Sequence, residues 1–233
     1  MTALIEIQDL EKRYHEGDSE RVIFQALSMN IRQGELIAVL GKSGSGKTTL
    51  LNLVSGIDIP TAGRISIEGT DITAFKEHER TLFRRRHIGF IFQFFNLIPT
   101  LTVEENILLP LELNGNLDVQ QTRSAHALLE QVGLIDRIHS FPDRLSGGEQ
   151  QRIAIVRALV HKPLVLLADE PTGNLDAETG RQVLDMLASL ARQQNMTLIL
   201  VTHSQEAASV TDRIFEVRDG HLVEHPRHGE LEQ

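Results

Sequence analysis

Residues Leu36–Val54 read LIAVLGKSGSGKTTLLNLV, and this segment gives the clearest indication of the fold. It opens with a continuous apolar run, Leu36–Leu40, which is typical of a strand buried on both faces. The run leads directly into Gly41–Thr48, which matches the eight-position G-x-x-x-x-G-K-[ST] phosphate-binding pattern at every defined place. Residues Thr48 to Val54 are predicted to form the helix that follows. A buried strand, a glycine-rich loop and a helix in this order predict an α/β fold whose loop holds phosphate groups.

Other segments extend this core. Alternating apolar and polar residues near the start predict two antiparallel strands, Ile5–Leu10 and Val22–Ile31, joined by a loop from His15 to Glu20. Further buried strands are predicted from continuous or nearly continuous apolar runs at Ile88–Gln93, Leu164–Ala168 and Thr197–Thr202.

Two local patterns complete the fold prediction. Helical periodicity runs from Thr102 to about Asp136, with a break near Asn114-Gly115. The segment from Arg213 to Glu224 predicts a hairpin with a type I′ turn at Asp219-Gly220. We therefore expect one domain over 1–233: an α/β P-loop NTPase core with a mostly parallel sheet, an N-terminal antiparallel β element and a helical subdomain inserted at about 94–142.

The composition narrows the possible functions. The chain has 233 residues and a formal net charge of −9, which argues against a general nucleic-acid binder. It has no cysteine, so disulfides, zinc–cysteine sites and iron–sulfur clusters are excluded. The first residues do not resemble a signal peptide, and no apolar run approaches the roughly 18 residues that cross a bilayer. If the protein serves a membrane process, we expect another chain to span the membrane.

The glycine-rich loop has a defined chemistry. Its glycines let backbone N–H groups turn inward around an anion, at the positive end of the following helix. The Lys47 ammonium is expected to reach the β- and γ-phosphates, and the Thr48 hydroxyl to bind Mg²⁺. The residues predicted to contact the nucleotide here are Gly41, Lys42, Ser43, Gly44, Ser45, Gly46, Lys47, Thr48 and Thr49.

Two acids follow the third of the buried core strands. Asp169 ends the apolar run and is expected to bind the same Mg²⁺, since strand ends in such sheets line the ligand crevice. Glu170 follows directly, and we assign it as the general base that activates the attacking water. The alternative, that the two acids only cap a strand end, loses weight because an intact phosphate loop precedes them.

The ordered set of motifs resembles the ATP-binding subunit of an ABC transporter over nearly the whole chain. The phosphate loop alone is shared with many NTPases, whereas the six-residue segment Leu145–Gln150, LSGGEQ, about a hundred residues later is highly specific. The matching positions in chain order are Tyr14, Gly41–Thr48, Gln93, Leu145–Gln150, Asp169-Glu170, Asn174-Leu175-Asp176 and His203.

The resemblance implies roles for residues that the chemistry alone does not assign. An aromatic residue at the position of Tyr14 stacks on adenine in this family, although a half-buried surface tyrosine is the alternative. Gln93 would contact Mg²⁺ and the attacking water and report to a transmembrane partner. His203 would contact the γ-phosphate and fix the geometry around Glu170.

The same resemblance implies a dimer. Ser146, with the amides of Gly147 and Gly148, would bind the γ-phosphate held by a second subunit, and Asp176 would lie in a loop at the dimer interface. Read without the family, Ser146 is the N-cap of a helix with Glu149 three residues on, a capping box. Both readings can hold together, and Glu149 is included among the nucleotide-site residues.

Segments around Arg85–Asn106 and Ala168–Asp176 are similar to the branch of the family that serves lipoprotein release, macrolide-type export and cell division. The expected cofactors are ATP and Mg²⁺. The expected partners are an integral membrane permease and a second ATP-binding subunit, most simply a homodimer, at the cytoplasmic face of the cell membrane. The apolar residues of Phe94–Pro99 either pack within the helical subdomain or receive a permease helix, and the basic run Arg84–Arg86 either is solvated or faces the partner or lipid.

Non-transport ABC ATPases that act on ribosomes or DNA are the main alternative. Those acting in translation usually carry two cassettes in one chain, and those acting in DNA repair add zinc modules or long coiled coils. A kinase with a phosphate loop would lack the Ser146–Gly148 segment. Copurification with a permease, ribosomes or DNA separates these alternatives.

Overall fold

The computed structural model describes residues 3–17, 19–204 and 209–225. The chain divides into two compact units, one formed by Met1–Arg84 with Thr197–Gln233 and the other by Arg85–Met196. The division falls inside one helix, Glu77–His87. Each unit is described by itself.

The first unit contains the phosphate loop and two sheets. Its elements are β1 (Ala3–Glu16), β2 (Ser19–Arg32), β3 (Leu36–Leu40), α1 (Lys47–Val54), β4 (Ala62–Ile67), β5 (Thr70–Asp71), most of α2 (Glu77–His87), β8 (Thr197–Thr202), β9 (Arg213–Arg218) and β10 (His221–His225). One sheet is antiparallel and has the order β2-β1-β4-β5. In the other, β3 pairs in parallel with both β8 and β9, and β9 pairs antiparallel with β10.

The second unit packs helices around a parallel strand pair. Its elements are β6 (Ile88–Ile91), α3 (Val103–Leu113), α4 (Val119–Gln131), α5 (Gly147–Leu159), β7 (Val165–Asp169), α6 (Ala177–Gln193) and two short 3₁₀ turns (Ile135–Arg137 and Pro142–Arg144). β6 and β7 run in parallel, with Ile88 opposite Val165 and Ile91 opposite Ala168. Gly89 is required where β6 meets α5, because a Cβ there would lie 2.3 Å from the carbonyl oxygen of Ala158.

These elements confirm the predicted fold class. The buried apolar runs form the parallel strands, because strands covered on both faces need apolar side chains at successive positions. All six residues of β8 are buried, as are the first four of β3. The helices α3 and α4 lie within the span predicted for the helical insertion, while its exact limits and the single-domain organisation stay predictions.

Some predicted boundaries are wrong. The strand predicted over Ile88–Gln93 ends at Ile91, so Gln93 lies in the turn that follows β6. The loop expected from His15 to Glu20 is only a short connection, because β1 continues to Glu16 and β2 begins at Ser19. His15 pairs with Glu20 and Glu16 with Ser19, so backbone hydrogen bonds extend the ladder through polar residues. Side-chain polarity underestimated the strand length, since a two-stranded ribbon exposes both faces at its end.

The predicted hairpin turn is confirmed by its backbone. Asp219 and Gly220 both have positive φ, at 50° and 79°, as the two central residues of a type I′ turn require. The tail after Pro226, whose polar residues predict that it is frayed, lies outside the described residues. Within the described ranges, the chain has no helix with the length and apolarity that crossing a membrane demands.

Candidate functional site

The loop between β3 and α1 is shaped by glycines. Gly46 is the N-cap of α1 with a φ of 106°. A Cβ on Gly46 would lie 2.6 Å from Cγ2 of Ile23 and 3.0 Å from Cζ of Phe24, so no other residue fits. At Gly41 a Cβ would lie 2.5 Å from Oγ of Ser45. The side-chain-free backbone can therefore curl closely around an anion, which is the property that the sequence pattern predicted.

Lys47 lies at the centre of this loop. It is buried, and its ammonium donates to the carbonyl oxygens of Gly41 at 2.7 Å and Lys42 at 3.0 Å. Among the residues that the structure describes, the Oγ atom of Ser45 is buried and has no hydrogen-bond partner. A buried cation and an unpartnered hydroxyl inside a glycine loop at a helix start fit a phosphate group.

Tyr14 lies on β1 and is half-buried. Its hydroxyl donates to Oδ2 of Asp58 at 2.6 Å. Burial raises the pKa of Tyr14, the hydrogen bond to Asp58 raises it further, and a hydrogen bond from Thr49 partly offsets both. Tyr14 is thus connected to α1, the helix that follows the phosphate loop.

Asp169 and Glu170 stand at the carboxyl end of β7 and are both half-buried. Glu170 has a φ of 46°, in the left-handed region that residues other than glycine rarely adopt. Its carbonyl oxygen accepts a hydrogen bond from the amide of Gly173 at 3.0 Å, which closes a turn after the strand. Strained backbone of this kind is concentrated at functional sites.

The donor types proposed for Mg²⁺ suit that ion. Mg²⁺ is bound through hard oxygen ligands, chiefly carboxylates and phosphate oxygens, and keeps several waters. Asp169 of the second unit carries a carboxylate and the exposed Thr48 of the first unit carries a hydroxyl, and both are hard oxygen donors. Their joint role at one ion stays a prediction.

Gln93 follows β6 and is tied to the loop after β7. The side-chain amide of Asn174 donates to the carbonyl oxygen of Gln93 at 2.8 Å, and Nε2 of Gln93 donates back to Asn174 at 3.4 Å. A Cβ on Gly173 would lie 2.8 Å from Nε2 of Gln93, so a larger residue there would displace the Gln93 side chain. The structure therefore couples Gln93 to the segment that contains Asp176.

Ser146 caps α5 as the sequence predicted. The Ser146 amide and hydroxyl each donate to Oε2 of Glu149 at 2.8 Å, and the Glu149 amide donates to the Ser146 hydroxyl at 3.3 Å. The backbone hydrogen bond from Ser146, followed by that from its hydroxyl, lowers the pKa of Glu149. The capping box is confirmed, and it leaves Ser146 exposed at the helix start.

A cavity of about 480 Å³ lies against this helix start. Its lining includes Ser146, Gly147, Gly148 and Asp176. Asp176 is the N-cap of α6 and accepts a hydrogen bond from the amide of Thr179 at 3.0 Å, which is the main reason that its pKa is lowered. Two capped helix starts thus converge on one cavity, and all four of these residues were singled out in the sequence.

The predicted residues are divided between the two units. Tyr14, the phosphate loop and His203 belong to the first unit, and His203 is exposed just after β8. Gln93, Asp169, Glu170, Ser146 and Asp176 belong to the second. Within the second unit, Ser146 and Asp176 line one cavity, and Asn174 joins Gln93 to the loop that contains Asp176. The roles of the other predicted residues, and every role shared between the two units, stay predictions.

Sequence reasoning missed three residues that contact predicted ones. Lys12 and Asp58 surround Tyr14, and Arg157 donates to the carbonyl oxygens of Phe95 at 2.9 Å and Asn96 at 2.6 Å. Lys12 shares a strand face with Tyr14 because it is two residues away, which the alternation could have indicated. Asp58 and Arg157 are 44 and at least 61 residues from their partners, and no local pattern reveals such contacts.

Comparisons with known proteins agree with the motif pattern. A family described as ABC transporter matches residues 24–173. An uncharacterized ABC transporter ATP-binding protein of Mycobacterium tuberculosis strain H37Rv is 51% identical over 220 residues, which cover 94% of this chain and 89% of the relative. The lipoprotein-releasing system ATP-binding protein LolD of Hydrogenovibrio crunogenus is 41% identical, over 94% of this chain and 96% of the relative.

Two further similarities extend this picture. The macrolide export ATP-binding/permease protein MacB of Brucella abortus is 42% identical over 94% of this chain, which corresponds to 34% of that longer protein. A solved dimeric structure of the ATP-binding cassette MJ0796, in a post-hydrolysis state bound to ADP and Pi, has a TM-score of 0.86 and 36% identity, covering 97% of this chain and 99% of that one. The chain belongs to the ABC transporter ATP-binding family, in which its relatives include LolD and MacB.

Proposed function

We propose that this chain is the Mg²⁺-dependent, ATP-hydrolysing subunit of an ABC transporter. Two copies, or one copy and a related chain, close around ATP and so drive a separate membrane permease in export or in mechanical work on the cell envelope. The chain would lie at the cytoplasmic face of the cell membrane, bound through that permease.

The loop and the strand ends supply the groups for hydrolysis. Lys47 and the loop amides neutralise the β- and γ-phosphates, and Thr48, Asp169 and Gln93 would hold Mg²⁺. When bound, Mg²⁺ would supply positive charge that offsets the charge of the phosphate groups. Glu170 accepts a proton from the attacking water as the water oxygen bonds to the γ-phosphorus. The bond between the γ-phosphorus and the leaving oxygen of ADP breaks. His203 orients the water and the γ-phosphate.

The cavity at the start of α5 is the observation that carries the dimer part of the proposal. Its lining includes Ser146, Gly147, Gly148 and Asp176. These residues supply a hydroxyl, the amides at the start of α5 and the capped start of α6. The hydroxyl and the amides at the start of α5 suit an anion, since helix starts attract negative charge, whereas the start of α6 is already capped by the Asp176 carboxylate. The phosphate loop already provides the chain's own nucleotide site, so we assign this second anion site to the nucleotide of a partner subunit.

Replacing Glu170 by Gln tests the catalytic assignment. The carboxamide keeps the shape but cannot accept the proton, and a general base contributes about 10²- to 10⁴-fold to rate. Glu170→Gln should therefore bind ATP, lose at least about 100-fold in turnover and accumulate as an ATP-bound dimer in light scattering. Glu130→Gln removes an exposed carboxylate from α4 as a matched control and should behave as wild type. Retention of most of the turnover by Glu170→Gln would exclude Glu170 as the base.

The segment after Gln93 supports a contact with the permease. Phe94 is 72% exposed, whereas Phe95 faces the start of α5, where its Cζ atom lies 3.6 Å from the position of a Cβ on Gly147. The buried Asn106 fixes the next turn, because its side chain accepts from the amide of Ile98 at 2.8 Å and donates to the carbonyl oxygen of Ile98 at 3.1 Å. Packing within the unit thus explains Phe95, and Phe94 is left as an apolar anchor for a permease helix.

This contact can be tested with a matched pair of variants. Phe94→Asp should lower permease binding and the ratio of permease-stimulated to basal turnover, because hydrophobic anchors dominate such interfaces. Val119→Asp is the control, since Val119 is similarly exposed at 69% in the same unit but far along the chain from Gln93. Equal stimulation of both variants in reconstituted membranes would place the permease contact elsewhere. Recovery of the native chain with ribosomes or DNA instead of a permease would contradict the transport proposal itself.

A further inference from the structure

Four residues form a hydrogen-bonded group around the only tyrosine, and we call Lys12, Tyr14, Thr49 and Asp58 the Tyr14 network. The Tyr14 hydroxyl donates to Oδ2 of Asp58 at 2.6 Å. The Lys12 ammonium donates to Oδ1 of Asp58 at 2.7 Å and to the carbonyl oxygen of Ile59 at 2.8 Å. One carboxylate therefore joins the phenol to a buried ammonium.

Asp58 is built into this position. Besides Lys12 and Tyr14, its carboxylate accepts from the amide of Ile59 at 2.7 Å, and the Asp58 amide donates to the carbonyl oxygen of Asn52 in α1 at 3.1 Å. Burial alone would raise the pKa of Asp58, but the hydrogen bonds from Lys12, Tyr14 and Ile59 together lower it. Asp58 thus stays ionised at neutral pH and keeps both partners.

Lys12 also covers the tyrosine ring. Its Nζ lies 4.6 Å from the ring centroid, within the range of a cation–π contact, and its side chain is only 9% exposed. A flat ring has two faces, and the ammonium occupies one of them. Any base that stacks on Tyr14 has to use the opposite face.

Thr49 links the ring to the phosphate loop. It lies in the first turn of α1, directly after the loop residues Lys47 and Thr48. A hydrogen bond from its side chain to the phenol lowers the pKa of Tyr14 against the effects of burial and Asp58. The phenol oxygen is therefore held at once by the first turn of α1 and, through Asp58, by the segment that follows the same helix.

We propose that Lys12 and Asp58 are positioning residues for the nucleotide base: they lock the Tyr14 ring against α1, so that one ring face stands ready at a fixed distance from the phosphate loop. This inference rests on the proposed function, in which Tyr14 stacks on adenine and Gly41–Thr48 holds the phosphates. Because the ring is ordered before ATP arrives, binding costs less side-chain entropy.

The spectroscopic test uses the composition of the chain. It has one tyrosine and no tryptophan, so tyrosine emission and the tyrosinate absorbance band report on Tyr14 alone. A carboxylate that accepts a hydrogen bond from the phenol quenches tyrosine emission and holds the phenol pKa above its ordinary value of about 10. In the nucleotide-free protein, Asp58→Asn should increase the emission and lower the phenol pKa. Unchanged emission and pKa would overturn the inference.

The binding test compares ATP with inorganic tripolyphosphate, which has no base. Ordering one side chain costs about 0.5–1.5 kcal/mol, so Asp58→Asn and Lys12→Met should weaken ATP binding about two- to tenfold. Tripolyphosphate binding should not change, and the KM for ATP should rise while kcat at saturating ATP is retained. Glu68→Gln, which removes an exposed carboxylate from the β4–β5 turn, is the matched control. Weaker tripolyphosphate binding in the two variants would overturn the inference, because it would mean general damage to the loop.

Two tyrosine variants separate this inference from the proposed function. Tyr14→Ala should lose ATP affinity, and Tyr14→Phe, which keeps the ring and removes the hydroxyl, should match Asp58→Asn. Combining Tyr14→Phe with Asp58→Asn should add nothing further, since both remove the same contact. If Tyr14→Ala binds ATP like wild type, stacking itself is wrong and the proposed base site fails. If Tyr14→Ala is weakened but Asp58→Asn and Lys12→Met are not, the positioning role alone is wrong.

Discussion

Two helices of the second unit start with the same kind of cap, and only one of these caps is expected to touch nucleotide. At α5, Ser146 and Glu149 exchange hydrogen bonds of 2.8 Å and 3.3 Å. At α3, Thr102 and Glu105 do so at 2.7 Å and 3.3 Å. This repetition inside one unit supplies an internal control for the proposed trans role of Ser146.

The stability effects of removing the two caps should be alike. Replacing an N-cap Ser or Thr by Ala costs about 1 kcal/mol. For a chain of this size, that loss lowers the melting temperature by about 2–4 °C. Ser146→Ala and Thr102→Ala should therefore give similar shifts in thermal or urea unfolding.

The catalytic effects should differ. A hydrogen bond to a charged group is worth about 1.5–3 kcal/mol, so losing the Ser146 hydroxyl from the γ-phosphate should slow turnover by about 10- to 100-fold. ATPase rates measured well below the melting temperature should then separate Ser146→Ala from Thr102→Ala, which should keep near wild-type turnover. Equal rates for the two variants would refute the reasoning, because Ser146 would then act only as a helix cap.

Two further predictions concern half-buried basic side chains of the second unit. Burial lowers the pKa of His161, so the His161 imidazole resists protonation in the folded chain. Its contribution to the free energy of unfolding is therefore fully present above the ordinary histidine pKa of about 6.5. This contribution is lost as the pH falls through the lowered pKa. His161→Gln should therefore flatten this part of a curve of stability against pH, measured by urea unfolding. An unchanged slope would contradict the role given to His161. Arg157 holds Phe95 and Asn96, whose φ values of 48° and 51° lie in the left-handed region. Arg157→Met should therefore speed amide hydrogen exchange at Phe95 and Asn96, and Arg157→Lys should not restore their protection. Exchange at the wild-type rate in Arg157→Met would show that Arg157 does not hold these two residues.

The sequence predicted the elements that depend on interactions between residues close together along the chain. Leu36–Val54 combines apolar continuity, glycines and a helix, so the strand, loop and helix followed from neighbouring residues. The Asp219-Gly220 turn and the Ser146 capping box were also predictable, because turn and cap chemistry depends on residues at most three positions apart.

Other features depend on contacts that a local pattern does not contain. Phe95, Asn96 and Glu170 adopt positive φ without glycine, because distant partners and the surrounding turns hold them there. The Tyr14 network joins residues 44 and 46 positions apart. Only the folded chain brings such partners together.

Complementation between two inactive variants tests the central claim, that each ATP is completed by a second subunit. Lys47→Ala removes the phosphate-loop cation, and Ser146→Arg blocks the start of α5, so each variant alone should be inactive. In a mixed dimer, the intact loop of the Ser146→Arg subunit meets the intact α5 start of the Lys47→Ala subunit, which restores one complete site.

The measurement is the ATPase rate of an equimolar mixture of the two variants, allowed to exchange subunits, against the rate of each alone. We expect recovery to about a quarter of wild-type turnover at most, since half of the dimers are mixed and each has one complete site of two. A mixture that stays as inactive as its components, although light scattering shows that mixed dimers form, would contradict the shared site.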